Sequence, residues 1–452
     1  MISMNLSEAA SRSGARVMNA DVHFTGCSID SRTVQKGNLF IALRGEKFDG
    51  HNYISAAMKN GACAALVEQE GSDNTIPLLV AKDTRQTMAS LAGSWRNDFD
   101  IPLLAVTGSN GKTTVKEMIR SVLGQRAQVL STRGNLNNEI GVPLTLFGLG
   151  DEHEYAVIEM GANHAGEIAM LSGLARPGVA VITQCAPAHL EGFGSLEGVA
   201  RAKAEIYSGL GAEGTAVINA DDDYAGFWRE VASQFRQISF GITNQADVCA
   251  SNIQVDAENG HTRFWLDTPS SSGLVKLSLQ GNHNVMNALA TAACCTAVEV
   301  AFDDIRQGFE KISAVQGRLQ LKITAAGIRV LDDTYNANLA SLKAGIHTLT
   351  AYPGKHWLVF GDMGELGDYS VDMHRQAGEA ARLQGVDRLY ATGTASKYAV
   401  EKFGQGARHF EQIEDLLEAL HREIEADVTL LVKASRFMAM DRVVTSLMEG
   451  KG

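Results

Sequence analysis

Residues 103–119 read LLAVTGSNGKTTVKEMI, and that order of residue types leaves the backbone little choice. An apolar, β-branched run predicts a buried strand, Gly108 and Gly111 predict a tight turn, and Lys112, Thr113 and Thr114 open a stretch with helical apolar spacing. A strand that delivers a glycine turn to a helix start builds an anion site. The glycines let the backbone close around phosphate oxygens, and the free N–H groups of the helix start carry about half a positive charge. Lys112 suits the β and γ phosphates of a nucleotide, Thr113 suits Mg²⁺, and Asn110 and Thr114 are further polar members of the loop expected at the nucleotide. The spacing is T-G-x-x-G-K-[ST], shorter than the general phosphate loop, which needs glycine where Val106 stands. The residue chemistry predicts a nucleoside triphosphate.

The rhythm around this loop predicts an α/β protein. LLAVT, YAVIEM, VAVIT and TAVIN are near-continuous apolar runs, each followed by a polar or glycine-rich turn and a helical pattern, as buried parallel strands of a doubly wound sheet read. The pattern restarts after about residue 315 with IRVLDD, HWLVFGD, DRLYATG and TLLVKAS, separated by amphipathic stretches at 373–383 and 413–424. At ~150 residues per domain, the 452 residues predict three units: a small α/β unit at 1–83, a central phosphate-loop doubly wound sheet at 84–314, and a C-terminal Rossmann-like unit at 315–452.

Composition narrows the function. With 40 basic against 52 acidic residues the formal charge is −12, so a nucleic-acid backbone meets a repulsive average surface and is not an expected partner. The six cysteines form no C-x-x-C, which predicts neither a zinc site nor a disulfide framework. The start, MISMNLSEAASRSG, lacks a basic segment followed by an apolar core, and the apolar stretch at 285–302 is interrupted by Asn287, Thr291, Thr296 and Glu299. No signal peptide and no membrane span are expected, and the expected location is the cytoplasm.

The loop is followed in order by GNLNNEIGVP at 134–143, VIEMGANHAGEI at 157–168, AHLEGFGS at 188–195, ARAKAEI at 200–206, GNHNVMNALA at 281–290, QGRL at 316–319 and DDTYNAN at 332–338. Through nearly the whole chain this series resembles a Mur ligase. GANHAGEI, DDTYNAN, GDMGELG at 361–367 and the early DSR and GEKFDGH segments most resemble the member that adds D-alanyl-D-alanine to UDP-N-acetylmuramoyl-tripeptide. The resemblance implies ATP-dependent amide ligation through an acyl phosphate, with those two molecules as partners, giving the pentapeptide precursor of peptidoglycan. It also implies ATP and two Mg²⁺ sites as cofactors, and the chain is expected to act as a monomer.

The resemblance also implies roles for particular residues, each set beside what the residue does unaided. Glu159 ends a strand at the sheet's carboxyl edge and is expected to bind Mg²⁺, and the resemblance implies that His189, after the next strand, holds the second metal together with Glu159, although a lone histidine is usually a structural hydrogen-bonder. Lys203 lies in an amphipathic helix and would ordinarily be solvated; the resemblance implies that it is carbamylated and orients the second metal, while Arg201 faces elsewhere. Asn284 and Asn287, three apart at a helix start, suit adenine or simple N-terminal capping. Arg318 is implied on the ATP phosphates, and Asp333 rather than Asp332 on the ribose, since neighbouring strand residues point oppositely.

Among Asn135, Asn137 and Asn138, which also suit an ordinary turn, Asn138 is the preferred catalytic member and the other two are expected at the substrate. Tyr335, Asn336, Asn338, Lys433, Ser435 and Arg436 are expected near the incoming dipeptide, the basic pair facing its carboxylate unless it merely begins a helix. Ala434 stands where the family usually has glycine. Ser31, Arg32 and Lys47 resemble the segment that cradles the UDP end.

Rival functions share parts of this pattern. Sister ligases adding another amino acid, and folylpolyglutamate-type ligases, have the same central unit; the diamino-acid ligase is disfavoured because its D-N-P-R segment is missing. A phosphate-loop nucleotide switch is a different class, disfavoured because no N-K-x-D guanine-reading motif occurs.

Overall fold

The computed structural model describes residues 1–69, 76–256 and 260–450. Its framework is a nine-stranded sheet in which Leu103–Thr107 is the third strand from one edge, flanked by Tyr155–Glu159 and Val179–Ile182. These strands are parallel, with Glu159 opposite Val106 and Ile182 opposite Thr107, so all three end at one edge. Every residue of Leu103–Thr107 is buried, as a strand covered on both faces must be.

The sheet is not parallel throughout. Val248–Asp256, His261–Asp267 and Ser272–Leu277 form an antiparallel extension at one edge, where sequence rhythm alone predicts only a parallel sheet. Antiparallel strands need only short connections, and this edge has one solvated face.

A five-stranded sheet precedes the central one, in the order Arg16–Met18, Leu78–Val80, Ala64–Val67, Leu39–Ile41, Cys27–Ser28, and only its first pairing is antiparallel. A six-stranded sheet follows, in which Gln320–Ile323 pairs antiparallel with Arg329–Asp333 and the remaining neighbours are parallel. Its carboxyl edge carries Asp333 and Lys433, neighbours in register.

Core continuity divides the molecule unevenly. Ile2, Leu39 and Leu66 belong to one apolar cluster with Ala105, Ile158 and Trp228, so the first sheet and one face of the central sheet are packed as one body. The two faces of the last sheet have separate clusters, around Val330 and Leu430 on one side and Leu331 and Phe360 on the other. Among the described residues no apolar cluster joins this last sheet to the central one. The junction between them is polar and holds the site.

Candidate active site

The helix Lys112–Leu123 buries Val115, Met118, Ile119 and Val122, each worth roughly 1.5–3 kcal/mol on transfer from water, and so anchors the loop that begins it. Gly111 is its N-cap at φ 81°, and a Cβ there would stand 2.4 Å from Asn287 Oδ1, so only glycine lets Asn287 approach the loop. The rest of the loop is held from the neighbouring strand end. Ser109 N donates to Gln184 O at 2.9 Å, and Thr183 Oγ1 donates to Asn110 O at 2.5 Å. Lys112 Nζ donates to Gly108 O at 2.6 Å.

A cavity of about 620 Å³ opens over this loop and runs between the central and last sheets. It gathers Asn110, Gly111, Lys112 and Thr114 with Glu159, His189 and Lys203. From the helix Asn282–Ala297 come Asn284 and Asn287, from the 134–141 turn Asn135, Asn137 and Asn138, and from the last sheet Arg318, Asp333, Tyr335, Asn336, Asn338 and Lys433. Gly108, Thr113, Ser435 and Arg436 lie beside it rather than in its wall, Thr113 Oγ1 accepting from Arg318 Nη2 at 2.9 Å. Ser31, Arg32 and Lys47 are outside it. Arg32 pairs with Asp30 at 2.7 Å with its side chain 86% exposed, and the Ser31 carbonyl accepts from Asn60.

Burial sets the charge states. Lys112 is pushed down to about 8 by desolvation, with Glu159 opposing and Arg318 reinforcing the shift. Lys203, 2% exposed, is pushed down to about 7, again first by desolvation and then by Lys112. Its helix is amphipathic as the sequence predicts, yet Lys203 lies on the buried side and Nζ sits 5.4 Å from the Phe193 ring centroid. Arg201 turns outward onto Glu197. His283, one residue before Asn284, is pushed down to about 4 by desolvation and the nearby Lys433.

Glu159 is 1% exposed. Its N–H donates to Thr132 Oγ1 at 2.9 Å, and its Oε1 accepts from Asn137 Nδ2 at 2.7 Å, while Oε2 is buried without a hydrogen-bond partner. A buried, unpaired carboxylate oxygen is costly unless a cation compensates it, so the residues present fit a hard divalent ion that keeps phosphate and water among its ligands. Among the described residues no cluster of three His, Cys, Asp or Glu forms an all-protein cage, which is the arrangement Mg²⁺ least favours. Asn110 Nδ2 and Arg318 Nε are likewise buried without partners.

The asparagines separate on inspection of their contacts. Asn137 reaches Glu159, whereas Asn138 Oδ1 accepts from the N–H of Gly141 at 3.0 Å and that of Ile140 at 3.3 Å, turning the chain into Gly141–Leu146. Asn284 does not cap its helix, whose N-cap is Gly281; its amide donates to Gln280 O at 2.8 Å and its Oδ1 accepts from Asn287 at 3.2 Å. Asn338 caps Leu339–Leu349 and donates across the junction to Asn110 Oδ1 at 2.7 Å.

At the edge of the last sheet, Lys433 Nζ lies 2.5 Å from Asp333 Oδ2 and 2.9 Å from Asn336 O. Burial pushes the Asp333 carboxyl up while Lys433 opposes the rise. Asp332 points to the other face and pairs with Lys322 at 2.8 Å. Ser435 Oγ accepts from Gly364 N at 2.8 Å. The Ala434 departure is absorbed by Gly361, where a Cβ would stand 2.7 Å from that of Ala434.

Sequence reasoning assigned nothing to Asn163, Glu167, Thr183, His283 or Glu365, all of which line the cavity. Glu365 Oε2 lies 2.5 Å from His189 Nδ1, off the line of a good hydrogen bond, and the histidine holds the Glu365 carboxyl below its usual range. Both residues have left-handed backbones, His189 at φ 53° and Glu365 at φ 60°.

A glycine loop at the polar junction of two mainly parallel sheets defines an α/β phosphate-loop protein. The family description "Mur ligase middle domain" matches residues 106–295, "Mur ligase, glutamate ligase domain" residues 317–436, and "Mur ligase family, catalytic domain" residues 23–92. The chain belongs to the Mur ligase family. It is 42% identical to the UDP-N-acetylmuramoyl-tripeptide–D-alanyl-D-alanine ligase of Escherichia coli, over 99% of both chains. A crystal structure of MurF from Acinetobacter baumannii superposes with a TM-score of 0.94 at 35% identity, covering 99% of each chain. That of MurF from Thermotoga maritima in complex with ADP does so at 0.82 and 28% identity, covering 94% of this chain and 97% of that one.

Proposed function

We propose that this chain is an ATP-dependent ligase that joins D-alanyl-D-alanine to UDP-N-acetylmuramoyl-tripeptide, yielding the pentapeptide precursor of peptidoglycan in the cytoplasm. The observation that carries the reading is one polar cavity in which the phosphate loop, the unpaired Glu159 oxygen and Lys433 of the last sheet meet. The named activity of the Escherichia coli relative and the ADP of the Thermotoga maritima structure support it.

The tripeptide's terminal carboxylate takes the γ-phosphoryl group of ATP, and the dipeptide's amine then displaces phosphate from the acyl phosphate to form the amide. No enzyme nucleophile is needed; the difficulty is bringing a carboxylate to a triphosphate, which makes electrostatic stabilisation the main task. The loop's N–H groups and Lys112 bind phosphate oxygens, with Gly108, Gly111 and Thr114 shaping the path. Thr113, Glu159, His189 and, as its carbamate, Lys203 would hold Mg²⁺, which neutralises triphosphate charge. Lys203, with its ammonium form disfavoured by burial, has the free amine that carbon dioxide requires for carbamylation.

Asn284 and Asn287 read adenine, Asp333 the ribose and Arg318 the phosphates. Asn137 holds Glu159, while Asn135 and Asn138 border the acyl site. Lys433, Ser435 and Arg436, with Asn336 and Asn338, receive the dipeptide. Ser31, Arg32 and Lys47 take the UDP end, so 1–83 serves UDP, 84–314 serves ATP together with Arg318 and Asp333, and 315–452 serves the dipeptide.

Oxygen labelling tests the acyl-phosphate route. Tripeptide carrying ¹⁸O in its terminal carboxylate delivers one labelled oxygen to each phosphate released. Unlabelled phosphate would contradict the route.

A further inference from the structure

Tyr335 meets two guanidinium groups. Its ring centroid lies 4.2 Å from Arg318 Cζ and 5.1 Å from Arg436 Cζ. The backbone reinforces the first of these contacts: Tyr335 N donates to Gly317 O at 3.0 Å, fixing the residue just before Arg318. Gly317 sits at φ +70°, and a Cβ there would stand 3.2 Å from Tyr335 N and 3.3 Å from Tyr335 Cβ, so the close approach depends on glycine. The stem and the head of one arginine are therefore both set by Tyr335. Arg318 crosses the junction to Thr113 Oγ1 at 2.9 Å, and its Nε has no protein partner. A ring face attracts a guanidinium through its quadrupole and most strongly where water is scarce, and it lets two like charges share one support.

We propose that Tyr335 is a positioning residue that holds Arg318 extended over the phosphate loop and Arg436 beside it, so that the nucleotide and dipeptide sides of the reaction are set from one ring. This rests on the reading of the loop as the ATP site. It also reassigns Tyr335 from touching the dipeptide to acting through the two arginines. The hydroxyl plays no part, since the ring face makes both contacts.

Tyr335→Leu and Tyr335→Phe in the full chain test it, through steady-state kinetics and calorimetric titration with Mg-ADP. Y335L lowers kcat about 3- to 30-fold, the span of cation–π contacts from exposed to desolvated. Y335F restores most of that loss, and neither variant changes the KM for D-alanyl-D-alanine by more than the kcat effect. In an Arg318→Ala background Y335L costs less than it does alone, because its target is gone. Full activity in Y335L, an undiminished loss in the R318A background, or a loss confined to the dipeptide KM would overturn the proposal. If Y335L unfolds, Y335F decides: a loss as large as that of R318A assigns the role to the hydroxyl and rejects the ring. A Lys112→Ala chain that still binds Mg-ADP like the parent would instead sink the loop reading beneath it.

Discussion

Lys112 and Lys203 show how burial prepares chemistry before any ligand arrives. Each amine is held below its ordinary value of 10.5, at about 8 and about 7, chiefly because the ammonium form loses its water. Burial makes the fold pH-dependent. Between about 7 and 10.5 the unfolded chain carries a proton on Lys203 that the native chain lacks, so stability rises with pH through that window and loses the contribution as pH falls to about 7. Lys203→Met removes this share and leaves that of Lys112. Denaturant titrations in carbon-dioxide-free buffer from pH 7 to 10 should show a shallower slope for the variant; an equal slope would contradict a buried, largely neutral Lys203.

The loop between Leu103–Thr107 and Lys112–Leu123 is the element on which most depends, and Gly108 is its tightest point. It sits at φ +144°, and a Cβ there would stand 1.9 Å from Thr183 Oγ1, the same oxygen that holds the Asn110 carbonyl. Gly108→Ala should therefore cost on the order of 1–3 kcal/mol of stability from backbone strain alone and weaken Mg-ADP binding, read by denaturation and by calorimetry. Parent-like values in both would show the loop to be looser than described. This element was fully legible in the sequence, because glycines, lysine and threonines fall in register behind an apolar run. The antiparallel extension was not: in His261–Asp267 buried Phe264 and Leu266 alternate with exposed Arg263 and Trp265, a short period-two signal beside long apolar runs. Asn137 and Asn138 were inseparable because only the backbone path decides which amide reaches Glu159. The approach of Glu365 to His189 joins residues far apart in the chain, and no local pattern encodes it.

At the scale of the molecule, the first two sheets share a core while the last has its own, so the site lies where, among the described residues, no apolar cluster crosses and polar contacts bridge. Arg318 to Thr113 and Asn338 to Asn110 bridge that junction, and both end on the phosphate loop. In the proposed function these bridges would tie nucleotide cleavage to binding at the last sheet. The most direct test is phosphate release measured with ATP while UDP-N-acetylmuramoyl-tripeptide and D-alanyl-D-alanine are supplied singly and together. The account predicts phosphate in step with amide when both are present and only traces otherwise. Equal ATP cleavage with neither present, or GTP cleavage without them, would contradict it.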